Sequence, residues 1–144
     1  MKANELMLND WVYLSETGRY PMQITLLDED GCYLNFVDNE GDPFEGDFGE
    51  NGVQPVPLTK EMLFANGFNK YVSCRGKTYY GYTTDHKILF EIMEWVEGDL
   101  ETAVGGRYIE LKYVHELQHL LRLAGLDKVA DEFKVKIDQP TQSQ

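Results

Sequence analysis

Met22-Gln23-Ile24-Thr25-Leu26-Leu27-Asp28-Glu29-Asp30-Gly31-Cys32-Tyr33-Leu34-Asn35-Phe36-Val37 is two β-patterned runs around a polar turn. Trp11-Val12-Tyr13-Leu14 forms a similar run upstream, set off by Glu16-Thr17-Gly18, and Asn39-Glu40-Gly41-Asp42 closes the third. Weaker segments, Phe44-Glu45-Gly46-Asp47-Phe48 and Val53-Gln54-Pro55-Val56, complete the set. Four or five short strands in about 55 residues predict a small, strongly bent antiparallel sheet or SH3-like β-barrel. Trp11, Tyr13, Tyr33, Phe36, Phe44 and Phe48 are expected to supply much of its core.

Past residue 57 the pattern becomes α+β. Thr59 suits a helix N-cap, and Asn66-Gly67 a left-handed stop, so a helix is expected over Lys60–Ala65. Tyr71-Val72-Ser73-Cys74 and Thr78-Tyr79-Tyr80-Gly81-Tyr82 flank Arg75-Gly76-Lys77 as a hairpin. Lys87 to Val96, rich in large apolar residues, predicts a central strand. After Gly105-Gly106, the alternation from Tyr108 to Lys112 predicts a strand that feeds a helix ending at Gly125. Asp127 is expected to cap a short last helix over 128–133. The organisation expected is thus a small acidic barrel-like subdomain (1–57), an α+β subdomain with an antiparallel sheet and two to three helices (58–137), and a disordered polar tail (138–144).

Composition narrows the functional classes. The 144 residues carry a formal net charge of −12. The excess is local, because residues 1–57 set Lys2 and Arg19 against twelve acids, whereas 58–144 nearly balance. Such a surface repels a phosphate backbone, so direct nucleic-acid binding is not expected. A basic protein partner, or mimicry of DNA by the acidic surface, fits the charge. Asp38, Glu40 and Asp42 have calcium-loop spacing, but Pro43 stands where glycine is needed and Gly49 where a bidentate glutamate is needed. Met1–Met7 lacks the apolar core of a signal peptide, and no apolar run approaches the ~18 residues of a membrane span. Cys32 and Cys74, far apart, read as two reduced thiols, and the expected location is cytoplasmic.

One motif carries chemistry. Tyr113-Val114-His115-Glu116-Leu117-Gln118-His119 contains the H-E-x-x-H spacing, in which two histidines four apart share a zinc and the glutamate activates its water. His115 and His119 would be the metal ligands and Glu116 the general base. A third ligand would come from His86, or from Asp127, Asp131 or Glu132 after Gly125. The surroundings argue against that use. With Leu117 centring the apolar face, both histidines fall about 160° away, on the side expected to face solvent beside Lys112 and Arg122. Nor is there a glycine-rich phosphate loop or a nucleophile elbow, and a DNA-reading helix near Ala124-Gly125 would carry Asp131 and Glu132 against Lys128 alone.

Three further sets of residues carry a resemblance: Met1-Lys2-Ala3-Asn4-Glu5-Leu6-Met7 with Asn9-Asp10-Trp11-Val12; Pro55-Val56-Pro57-Leu58-Thr59 with Asn66-Gly67-Phe68; and Lys112-Tyr113-Val114-His115-Glu116-Leu117-Gln118-His119 continuing to Leu121-Arg122-Leu123-Ala124-Gly125. In that order, from residue 1 to about 125, the chain resembles an uncharacterised family of short Bacteroidetes proteins often encoded in prophages and conjugative elements. It departs from that pattern in a longer acidic loop around 38–52. The resemblance implies a cytoplasmic accessory protein of a mobile element, and it assigns no catalytic residue. The function expected is a non-enzymatic protein-binding or adaptor role with no cofactor, the acidic barrel or the His115/His119 helix face meeting the partner. The alternatives are a minimal zinc hydrolase and an acidic DNA-mimic inhibitor.

Overall fold

The computed structural model describes residues 1–15, 20–36 and 42–135, so the expected disordered tail lies outside the described residues. Two compact units result: Met1–Val56 joined by Val135–Gln144, of which Val135 alone is described, and Pro57–Lys134. The chain is α+β, with an antiparallel sheet in each unit.

The first unit opens with a 3-10 turn, Ala3–Glu5, and continues as β1 (Trp11–Tyr13), β2 (Pro21–Leu27), β3 (Gly31–Asn35), β4 (Phe44–Asp47) and β5 (Gln54–Pro55). Strand order is β4-β3-β2-β1-β5, a half-barrel. The register slips between Ile24 and Leu26, a bulge that bends β2 over its neighbours. Alternation turns Met22 and Ile24 of β2 and Cys32 and Leu34 of β3 inward, where they pack with Leu6, Val12 and Val53. This core is aliphatic, which corrects the aromatic core expected from the sequence. Only Trp11 of the six rings is buried; Phe36 and Phe48 lie at the margin and Phe44 is exposed. Gly46 of β4 lies directly against Leu34, Val53 and Cys32, so this part of the core has no room for a larger side chain. A Cβ on Gly46 would stand 2.8 Å from Val53 Cγ1 and 3.2 Å from Cys32 Sγ.

The second unit contains α1 (Lys60–Ala65), β6 (Phe68–Val72), β7 (Thr78–Thr84), β8 (Lys87–Glu94), β9 (Leu100–Val104), β10 (Arg107–Glu110), α2 (Val114–Leu123) and α3 (Asp127–Asp131). Thr59 caps α1 by accepting the Met62 N–H at 3.3 Å, as its position predicts. Asp85 and His86 both have left-handed φ (50° and 64°), forming the two-residue hairpin turn whose twist suits β7 and β8. The last helix begins one residue earlier than expected. Asp127 lies inside it, and the cap position, Leu126, makes no side-chain cap bond.

Strand order here is β10-β9-β8-β7-β6, so β8 is central as expected. Tyr80, Ile92 and Phe68 are buried on one face of the sheet, where the Phe64 ring of α1 meets Tyr80 edge-on at 5.5 Å. Gln118 Nε2 of α2 donates to the Ala130 carbonyl of α3 at 2.9 Å, and Arg122 Nε pairs with Asp131 at 3.2 Å. The sheet is unevenly stitched. β7 and β8 pair along their whole length, but β8 and β9 pair only at Met93↔Glu101 and Glu94↔Leu100. Beyond that seam Thr102 Oγ1 donates to the Glu91 carbonyl at 2.7 Å, so a side-chain bond follows the last rung.

Candidate functional site

Where the β8–β9 ladder stops, a groove of about 550 Å³ opens. It is lined by Tyr79 on β7, by Ile88, Leu89 and Phe90 on β8 and by Thr102, Ala103 and Val104 on β9. Tyr108 of β10 and Leu120, Leu123 and Ala124 of α2 complete it. The size lies within the ~300–1,000 Å³ typical of ligand clefts. Sequence accounts for the shape. A register slip after Tyr82↔Phe90 inserts an extra residue, Leu89, into β8, so Ile88 and Leu89 do not alternate cleanly between faces. Both are exposed, as are Tyr108 (63%) and Leu123 (73%). Exposed apolar side chains gathered on one concave surface are the usual mark of a contact site.

The charged lining residues are Glu91 and Glu101, and among the described residues no cation lines the groove. Glu91 accepts the Tyr71 hydroxyl, and the Tyr71 ring stacks on Tyr79 with centroids 5.3 Å apart. Tyr71 and Tyr79 are thus engaged by one another and Tyr71 by an acid.

The histidine motif lies elsewhere on α2, and its placement corrects the expected orientation. Val114, His115, Leu117, Gln118 and Leu121 are the buried residues of the helix. The buried face is therefore turned toward Gln118, and His115 is inside while Leu123 is outside. The reason is Gln118, a polar residue whose amide is satisfied by α3, so its side of the helix is core. His115 stacks on Tyr113 with centroids 5.9 Å apart and meets His119 edge-on at 5.6 Å; its Nδ1 is buried without a hydrogen bond.

Glu116 caps the start of the helix. Its Oε1 accepts the N–H groups of Lys112 at 2.9 Å and Tyr113 at 3.0 Å, holding the first turn. His86 sits in the β7–β8 turn. Among the described residues no group of three or more His, Cys, Asp or Glu is placed to hold a metal ion. A catalytic zinc centre needs three protein ligands and a base, and here Glu116 Oε1 is engaged by the start of the helix.

The groove residues are absent from the sequence reading. Their signal was present in Lys87-Ile88-Leu89-Phe90-Glu91-Ile92-Met93, a run too continuously apolar for a strand with one wet face, and in Leu123, a leucine off the apolar stripe. Comparison with protein-family models, with curated proteins and with solved structures finds no match. Among the described residues, no helix is long and apolar enough to cross a membrane.

Proposed function

We propose that the chain is a non-enzymatic protein-binding or adaptor protein that engages its partner through the groove between β8, β9 and α2. The observation that supports this reading is the groove itself: exposed Ile88, Leu89, Tyr108 and Leu123 converge on one concavity. Leaving such residues wet forgoes burial, at roughly 25 cal/mol per Å² of apolar surface, and a partner recovers it. The acidic half of the chain adds long-range attraction for a basic partner, consistent with the accessory role implied by the resemblance.

The test is capture from a bacterial lysate at low salt with the natural chain and an Ile88→Asp, Leu123→Asp double variant. Both positions are exposed, so the variant should melt within a few degrees of the parent. A protein held by the parent and lost by the variant supports the reading. Identical capture profiles, or none at low salt, would remove the groove from consideration. Capture that duplex DNA displaces, with no effect of the double variant, would favour the DNA-mimic alternative.

A further inference from the structure

We infer that the groove takes an extended peptide segment of a partner protein, with apolar residues alternating with lysine or arginine, as a strand added along β8. This rests on the protein-binding reading and specifies the form of the partner. The first support is the backbone. β8 runs from Lys87 to Glu94, yet its ladder with β9 involves only Met93 and Glu94. The stretch from Ile88 to Phe90 has β7 on one side and the open groove on the other, while the Glu91 carbonyl at its end is already taken by Thr102. In an antiparallel pair the main-chain groups of alternate residues point the same way, so those of Glu91, whose carbonyl meets Thr102, point across the seam. A strand edge beside an apolar cleft is the geometry of strand addition, in which main-chain bonds give affinity and side-chain pockets give selectivity.

The second support is charge. Glu91 and Glu101 are the charged residues of the lining, and they flank the seam from β8 and β9. An apolar trough between two carboxylates fits a strand whose side chains alternate between apolar and basic, one set toward Leu120, Leu123 and Phe90 and the other toward the acids. The open stretch of three residues spans about 10 Å, which the middle of a four- to six-residue extended segment would cover. A helix, at about 10 Å across, would reach the apolar rim but leave the strand edge unused.

The probe is a capped hexapeptide of alternating valine and lysine, titrated into the intact protein with amide chemical shifts and calorimetry as readouts. Shifts should concentrate at Leu89 to Glu91 and at Ala103 and Val104. Replacing lysine with glutamate in the peptide, or methylating the backbone nitrogens of alternate residues so that one edge loses its donors, should each weaken binding at least tenfold. Glu101→Lys should do the same to the lysine peptide and restore binding of the glutamate peptide. Methylated and unmethylated peptides binding equally would overturn strand addition. So would shifts located elsewhere, or a groove closed by a second copy of the chain in sedimentation that the peptide cannot displace. If the double variant abolishes capture of a folded partner while no extended peptide binds, the protein-binding reading stands and the strand inference fails.

Discussion

Glu116 shows how one residue supports a chemical reading and a structural one at once. Its position between two histidines invites the role of a catalytic base, but its carboxylate is committed to the N–H groups of Lys112 and Tyr113 at the start of α2. Glu116→Ala should therefore lower stability by about 1 kcal/mol, in the range of lost N-terminal caps. Glu116→Gln keeps an acceptor and should lose less. Thermal melts of the two variants decide this: equal melting temperatures for alanine and parent would release the carboxylate for another role. The same measurement pairs with elemental analysis of untagged protein, because near-stoichiometric zinc lost with His115→Ala would reinstate the metal reading.

At the scale of elements, Gly46 lets β4 lie directly against the first core. Gly46→Ala forces a methyl against Leu34, Val53 and Cys32, and should cost about 1–3 kcal/mol as overpacking, seen as a lower urea midpoint. That glycine also explains what was legible. The strands of the first unit, β7, β8 and β10 of the second, and the α1 cap and stop follow from local chemistry, so their residues announced them, whereas β9 (Leu100–Val104) was not read as a strand and β6 was placed three residues late. The inward-facing set did not, because an aromatic alternating with aliphatic neighbours carries no label for which side is core. α2 was misjudged by a similar route. The apolar face was centred on Leu117, whereas the buried side runs through Gln118 as well, and that put His115 outside in the expectation. The groove was out of reach for a different reason: it depends on where the β8–β9 ladder stops, a property of tertiary packing rather than of either strand.

For the molecule as a whole, the titrating groups fix the direction of its pH response. Burial, with help from Asp47 and Asp28, pushes the Cys32 thiol up to about 11. Burial and the hydrogen bond to Glu94 push the Tyr80 phenol up to about 12. Both hold their protons more tightly folded than unfolded. Their contribution is complete below the ordinary values of 9.0 and 10.0 and is lost as pH rises toward 11 and 12. Glu94 runs the other way: the Tyr80 hydroxyl lowers its carboxyl pKa despite some burial, so its contribution is lost as pH falls below 4.5. Urea denaturation should give flat stability near neutrality and a decline from pH 9 upward. In Cys32→Ala the decline should begin about one pH unit later, with Tyr80. An unchanged onset would show that the thiol does not carry it.

The interrupted seam between β8 and β9 also bears on how the molecules behave in a crowd. A strand edge flanked by Ile88 and Leu89 can template pairing between identical chains, and mutual repulsion from twelve net negative charges keeps such encounters brief at neutral pH. That protection vanishes near the isoelectric point of about 4.5. Turbidity and thioflavin fluorescence should rise sharply there and with added salt, and Ile88→Lys should suppress both. The colloidal shelf life of this acidic protein is then set by the same open edge that gives it something to hold.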